Sequence, residues 1–182
     1  MTRRSTVLIL GASGTVGHAA AERFLTDQRF DVVTVSRRQP GLPASARHRH
    51  IAVDLRDADA VTHAVATAGA VTHVVYAALF EKPDLIAGWV DPEQISTNRA
   101  MLANILAALG LTGAPVEHVS ILQGTKAYGY HLRPPRVPAK ESQPRVEHEN
   151  FYWEQEDLLL AAAADRGFAV TIWRPQFIFG GV

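Results

Sequence analysis

Short runs of valine, isoleucine and leucine alternate along the chain with longer stretches in which apolar residues recur at helical spacing. The short runs predict strands over Thr6–Leu10, Asp31–Ser36, His50–Val53, His73–Tyr76, Val116–Ile121 and Ala169–Trp173, because β-branched and apolar residues in runs of this length suit a buried sheet. Between them the pattern predicts helices over about 15–27, 57–68 and 150–166. A further helix opens at Asp91-Pro92-Glu93, where an N-cap acid, a proline at the first helical position and a first-turn acid follow in series, and it ends near Gly110. Gly167 is the stop signal of the last helix. Strand and helix alternating in this way predict an α/β domain, a doubly wound parallel sheet with helices on both faces. The stretch Tyr128–Glu149 carries four prolines and little periodicity, so it reads as a long excursion of the kind that usually serves function.

Composition narrows the picture. The chain has 182 residues, enough for one domain with a sizeable core, and 18 Lys+Arg against 18 Asp+Glu. A formal charge of zero argues against a nucleic-acid binder, whose affinity comes from neutralising phosphates. With no cysteine there is no disulfide, no thiolate zinc site and no cysteine nucleophile, which is compatible with a reducing cytoplasm. Arg3-Arg4 precede an apolar run of only Val7–Leu10, too short for an export signal, so the segment is read as a buried strand. No stretch approaches the roughly 18 apolar residues of a membrane span. A cytoplasmic protein with a small-molecule substrate is expected, with no nucleic-acid or membrane partner, and a homodimer is compatible. The histidines show no ligand spacing, so no metal is expected, and Arg47-His48-Arg49-His50 reads as a solvated approach to the third strand.

The first strand runs into Gly11-Ala12-Ser13-Gly14-Thr15-Val16-Gly17, which opens the first helix. That context is what a Rossmann-type dinucleotide fingerprint requires: Gly11 and Gly14 allow a tight turn and close approach to a pyrophosphate, and Gly17 allows close helix packing. The amides from Ser13 through Thr15 and Val16 would then meet the phosphates. At the end of the second strand, where an NAD-preferring protein places an acid on the ribose, this chain has Ser36-Arg37-Arg38. Two guanidiniums suit a 2′-phosphate, so NADPH is the expected cofactor. Asp54 with the neighbouring Leu55 amide could hold the adenine ring, or Asp54 could serve the start of the next helix; the sequence leaves both open. Ala77-Ala78, after the fourth strand, are small enough for a cofactor to lie against.

Two later segments carry chemistry: Ser120-Ile121-Leu122-Gln123-Gly124-Thr125-Lys126-Ala127-Tyr128 and Asn150-Phe151-Tyr152-Trp153-Glu154-Gln155-Glu156-Asp157. The lysine of Gly124-Thr125-Lys126 does not directly follow the glycine, so this is not a P-loop. Both segments resemble the motifs of progesterone 5β-reductase and iridoid synthase-like enzymes, an atypical branch of the extended short-chain dehydrogenases/reductases. Arg174-Pro175-Gln176-Phe177-Ile178-Phe179-Gly180 is similar to that family's next motif, and Ser36-Arg37-Arg38 to its arginine pair. Ordinary short-chain dehydrogenases carry a lysine four residues after the catalytic tyrosine; here that position is Glu156. The resemblance implies that the cation comes instead from Lys126 and the hydrogen-bond donor from Tyr152, with Pro175 and Ile178 near the nicotinamide. It implies an NADPH-dependent reductase that transfers hydride to an enone or a carbonyl. A nucleotide-sugar epimerase or dehydratase is disfavoured by Glu156, and a non-catalytic NADP-binding sensor by the Lys126 and Tyr152 motifs. Trp153 and Tyr128 read as core aromatics that could also line the pocket. Since the family continues with further sheet and a substrate-binding part, 182 residues are expected to hold the cofactor half of a longer enzyme.

Overall fold

Val7, Leu8, Ile9 and Leu10 have no solvent exposure, which identifies their strand as the middle of a sheet covered on both faces. The structure is a computed structural model that describes residues 4–84, 87–134 and 136–181. The Met1–Arg3 part of the twin-arginine segment lies outside these residues. The strands are β1 Ser5–Leu10, β2 Phe30–Ser36, β3 His48–Ala52, β4 Val71–Tyr76, β5 His118–Leu122 and β6 Ala169–Trp173. The helices are α1 Thr15–Thr26, α2 Ala58–Ala68, α3 Pro92–Leu111 and α4 Phe151–Arg166, with 3₁₀ turns at Ala87–Val90 and Thr125–Tyr128. All six strands run parallel in the order β3-β2-β1-β4-β5-β6. Among the described residues, no helix is long and apolar enough to cross a membrane.

The alternation of side chains divides the sheet residues between two faces. Leu8, Leu10, Val33, Val35, Val74 and Ile121 join α2, α3 and α4 in the larger core, where Leu102, Ile105, Leu109 and Leu159 are the helical contribution. Val7, Ile9 and Val32 face the other way and meet Ala20, Ala21, Phe24 and Leu25 of α1. At about 1.5–3 kcal/mol for each large aliphatic side chain fully withdrawn from water, the four residues of β1 alone contribute a substantial share of the driving force.

The expected elements all form, with shifted ends. Asp57 stands outside α2 as its N-cap and accepts the Ala60 amide at 2.9 Å. Asp91 caps α3 in the same way, taking the amides of Glu93 and Gln94 at 2.9 and 3.1 Å, with Pro92 next to it. Asn150 is likewise a cap rather than the first residue of α4. Strand β5 starts at His118, not Val116, because the Val116 amide is turned back onto Ala114 O at 2.8 Å. Strand β3 starts earlier than expected, at His48. That approach is only partly solvated: Arg49 is exposed, whereas Arg47 donates to the carbonyls of Asp27 at 3.0 Å, Phe30 at 2.9 Å and Leu25, closing the open end of α1. His48 and His50 both reach Thr34 Oγ1, at 2.9 and 3.2 Å.

Arg47→Met should therefore destabilise the domain by about 1–3 kcal/mol, the value of charge-assisted hydrogen bonds whose acceptors are left unpaired. A lowered urea midpoint with an unchanged slope is the expected readout.

Candidate active site

The turn after β1 is built of bare backbone. Gly11 sits at φ +81°, and a Cβ on it would lie 2.6 Å from the carbonyl oxygen of Ala77. A Cβ on Gly17 would lie 2.4 Å from the oxygen of Gly11. The end of β1, the first turn of α1 and the end of β4 thus touch with no side chain between them. Gly14 is the N-cap of α1 and offers no side-chain cap, so the first amides of the helix face outward unshielded.

A cleft of about 280 Å³ opens over this turn at the carboxyl ends of β1, β2, β3 and β4. It gathers most of the residues expected from the sequence: Gly11, Ser13 and Gly14 from the turn, Ser36, Arg37 and Arg38 after β2, Asp54 and Leu55 after β3, and Ala77 and Ala78 after β4. Buried Ser36 fixes the arginine loop by donating to Arg38 O at 2.6 Å, while Arg37 and Arg38 are exposed. Asp54 grips Arg56 as a fork, at 3.0 and 2.6 Å, and this hydrogen-bonded cation lowers the carboxyl to about 2. Of the two readings of Asp54, helix capping falls to Asp57. Arg56 also lines the cleft, with its guanidinium 5.9 Å from the Phe80 ring centre; nothing in its local sequence singled it out.

Thr15, Val16, Pro175 and Ile178 line a different space, an apolar cavity of about 860 Å³ between α1 and the segment after β6. Trp173 and Phe179 leave much of their rings exposed there.

Lys126 and Tyr152 come together through three buried amide side chains. Asn150 Nδ2 donates to Lys126 O at 3.1 Å while its Oδ1 accepts the Tyr152 amide at 2.9 Å, and Gln123 Nε2 donates to Tyr152 O at 3.1 Å. Gln155 ties the same helix to α3 through Asn98 O at 2.9 Å. The Tyr152 hydroxyl lies over Gly124, where a Cβ would stand 3.4 Å from Oη and 3.8 Å from Pro175 O. Burial, and secondarily the charge of Glu81, push its phenol well above the usual range. Lys126 is about a quarter exposed; burial pushes its ammonium down, and Glu81, 3.9 Å away, pulls it up. Its Nζ stands 4.0 Å from the ring centre of Trp89. Neither Glu81 nor Trp89 was legible as a site residue, because both reach the site from a loop far along the chain.

Residues 7–181 match the NAD dependent epimerase/dehydratase family. The chain belongs to that family. Among curated relatives it is 31% identical over 187 residues to 3-oxo-Delta(4,5)-steroid 5-beta-reductase of Arabidopsis thaliana, covering 97% of this chain and 47% of the relative. It is 28% identical over 192 residues to (S)-8-oxocitronellyl enol synthase of Antirrhinum majus, covering 98% and 47%. The chain spans about half the length of these relatives. The UDP-glucose 4-epimerase of Bifidobacterium longum, solved with NAD+ and UDP, shares the fold at a TM-score of 0.73 with 18% identity, over 93% of this chain and 52% of that one.

For an epimerase/dehydratase family chain, Glu156 is the departure that needs a reason, and its surroundings supply one. Its carboxylate accepts from Arg174 Nη2 at 2.6 Å and Arg145 Nη2 at 3.1 Å, and its side chain is 13% exposed. Arg174 also donates to Gln123 Oε1 at 2.9 Å, and Arg145 to Asp157 at 2.6 and 2.9 Å. The two guanidiniums lie against Trp153 at 5.6 and 4.9 Å, and Arg174 against Tyr128 at 5.4 Å. Both aromatics thus flank cations beside a third cavity of about 520 Å³, while Trp153 also packs against the cluster of Trp89, Ala127, Phe151 and Tyr152. Glu156 joins β6, α4 and the 129–149 excursion, and no lysine could replace it there.

Glu156→Lys should cost roughly 3–5 kcal/mol, since it sets a third cation against the largely buried Arg174 and the more exposed Arg145. Thermal unfolding checks this, and Glu156→Gln should lose less.

Proposed function

We propose that this chain is the cofactor-binding and catalytic portion of an NADPH-dependent reductase acting on the activated C=C bond of an enone, or on a carbonyl. The observation that carries the reading is the Tyr152 hydroxyl held over Gly124, beside the Pro175 backbone, with Lys126 supplied from the segment just before it. The relatives support it, since their names describe a steroid reductase and an enol synthase.

The residues present fit a dinucleotide. Gly11 and Gly17 leave no room for a Cβ, so backbone can approach a pyrophosphate at the unshielded start of α1. Ser36, Arg37 and Arg38 would hold the adenosine ribose with its 2′-phosphate, and Asp54 and Leu55 the adenine edge. Thr15 and Val16 would adjoin the phosphates, Ala77 and Ala78 would form the floor, and Pro175 and Ile178 would bound the nicotinamide end. When bound, NADPH supplies the hydride. Tyr152 then donates a hydrogen bond to the substrate's carbonyl oxygen as negative charge builds there, its buried phenol remaining protonated throughout the neutral range. Lys126 contributes the positive charge that stabilises this oxyanion and binds the cofactor ribose. An epimerase reading has less support, because Glu156 occupies the place of the lysine that such enzymes pair with their tyrosine.

Binding titrations should show NADPH preferred over NADH, with Arg37→Ala reducing that preference by about 10- to 100-fold; equal affinities would overturn the cofactor assignment. Tyr152→Phe and Lys126→Met should each lower NADPH-dependent enone reduction by about 10²- to 10⁴-fold. Turnover that survives both substitutions removes the pair from the mechanism.

A further inference from the structure

Glu81 lies in the loop after β4, and its backbone is clamped on both sides. Asn98, wholly buried on α3, accepts the Phe80 amide at 2.9 Å and donates to Phe80 O at 2.7 Å. Gln94, one turn earlier and equally buried, accepts the Lys82 amide at 2.7 Å. A residue between two such anchors has little conformational freedom left. Its carboxylate accepts the indole N–H of Trp89 at 3.1 Å and lies 3.9 Å from Lys126 Nζ. The same Trp89 presents its ring to that ammonium at 4.0 Å and packs edge-to-face on Tyr152 at 4.9 Å. One buried indole thus serves Glu81 with its edge and Lys126 with its face, an arrangement that strengthens as water is excluded.

We propose that Glu81 is a positioning residue of this site: with Trp89 it forms the seat that holds the Lys126 ammonium charged and in place beside Tyr152. The inference rests on the reductase reading above and explains where the counter-charge of a relocated catalytic cation comes from. In the usual arrangement the lysine shares a helix with the tyrosine. Here it stands on a 3₁₀ turn, and burial alone would drive it toward the neutral amine. The carboxylate opposes that drift, and it also disfavours a phenolate at Tyr152, keeping the phenol a donor. The other charged groups nearby do not substitute for it. Lys82 is engaged with Asp91 at 2.9 Å and Glu93 at 2.6 Å. The His131 ring lies 6.0 Å from Trp89, and His148 lies 4.9 Å from His131. Burial, then His148 and Lys126, push the His131 ring down, so it is neutral at pH 7 and adds no second cation.

The test is a titration of Lys126 itself. Reductive ¹³C-methylation preserves lysine charge, and Lys126→Arg assigns the Lys126 signal against those of Lys82 and Lys140. Removing the Glu81 charge weakens the opposition to burial, so in Glu81→Gln the Lys126 midpoint should move to lower pH. Glu81→Asp should restore part of the shift. Should Glu81→Gln fail to fold, Trp89→Phe keeps a ring beneath Lys126 but removes the N–H that fixes Glu81, and should lower the midpoint in the same direction. A Lys126 midpoint unchanged in folded Glu81→Gln, or in Trp89→Phe when that is the folded variant, overturns the proposal. NADPH titration of the same samples reports on the reductase reading separately: no NADPH binding to the unsubstituted chain overturns that reading and the catalytic purpose of the seat, whatever the Lys126 midpoint does.

Discussion

Three stretches of backbone meet at Gly11 with nothing between them, and the architecture depends on that contact. Gly11 takes a left-handed conformation that a side chain would strain, and its neighbours leave no space for one in any case. Beyond it α1 packs down on one face of the sheet, while β4 passes on the other side of β1 from β2. The chain connections diverge at this point, and a crevice necessarily opens where they part. The cleft is a consequence of how the backbone turns, and the residues around its rim come from four strand ends for the same reason.

A second constraint organises the chemistry. Asn98, Gln94, Gln123, Asn150 and Gln155 are buried, and each reaches the backbone of another segment, Gln94 through its carbonyl oxygen alone. Leaving such groups unpaired in the interior would be expensive, so the contacts they make are strongly specified. They hold the loop after β4, the 3₁₀ turn after β5 and the first turn of α4 in one arrangement. Glu81, Lys126 and Tyr152 stand on those three segments.

The charge pattern around α4 follows from the same logic. One turn beyond Tyr152 on α4 the chain carries Glu156, whose role in this structure is to pair arginines. Glu156 gathers Arg145 and Arg174, so a carboxylate where a lysine is customary becomes the tie that orients the motif after β6. The same carboxylate, through Arg145, anchors an otherwise irregular excursion.

Much of this was readable along the chain. The strands, the helices, the cap residue at Asp91, the glycine turn and the arginines after β2 are all signalled by residues within a few positions of one another, since periodicity and capping are local physics. Lys126 and Tyr152 were legible through motif resemblance, and the fold brings their segments together. Arg47, Arg56, Glu81, Trp89 and the purpose of Glu156 were not. Each acquires its role from a partner that tertiary packing delivers: carbonyls at the end of a helix, a carboxylate in a cleft, an ammonium from another loop. Local order was determined by the sequence itself, through backbone sterics and the spacing of apolar residues. The electrostatic character of the site was decided only when burial raised the cost of every unpaired charge and tertiary packing brought oppositely charged neighbours to meet it.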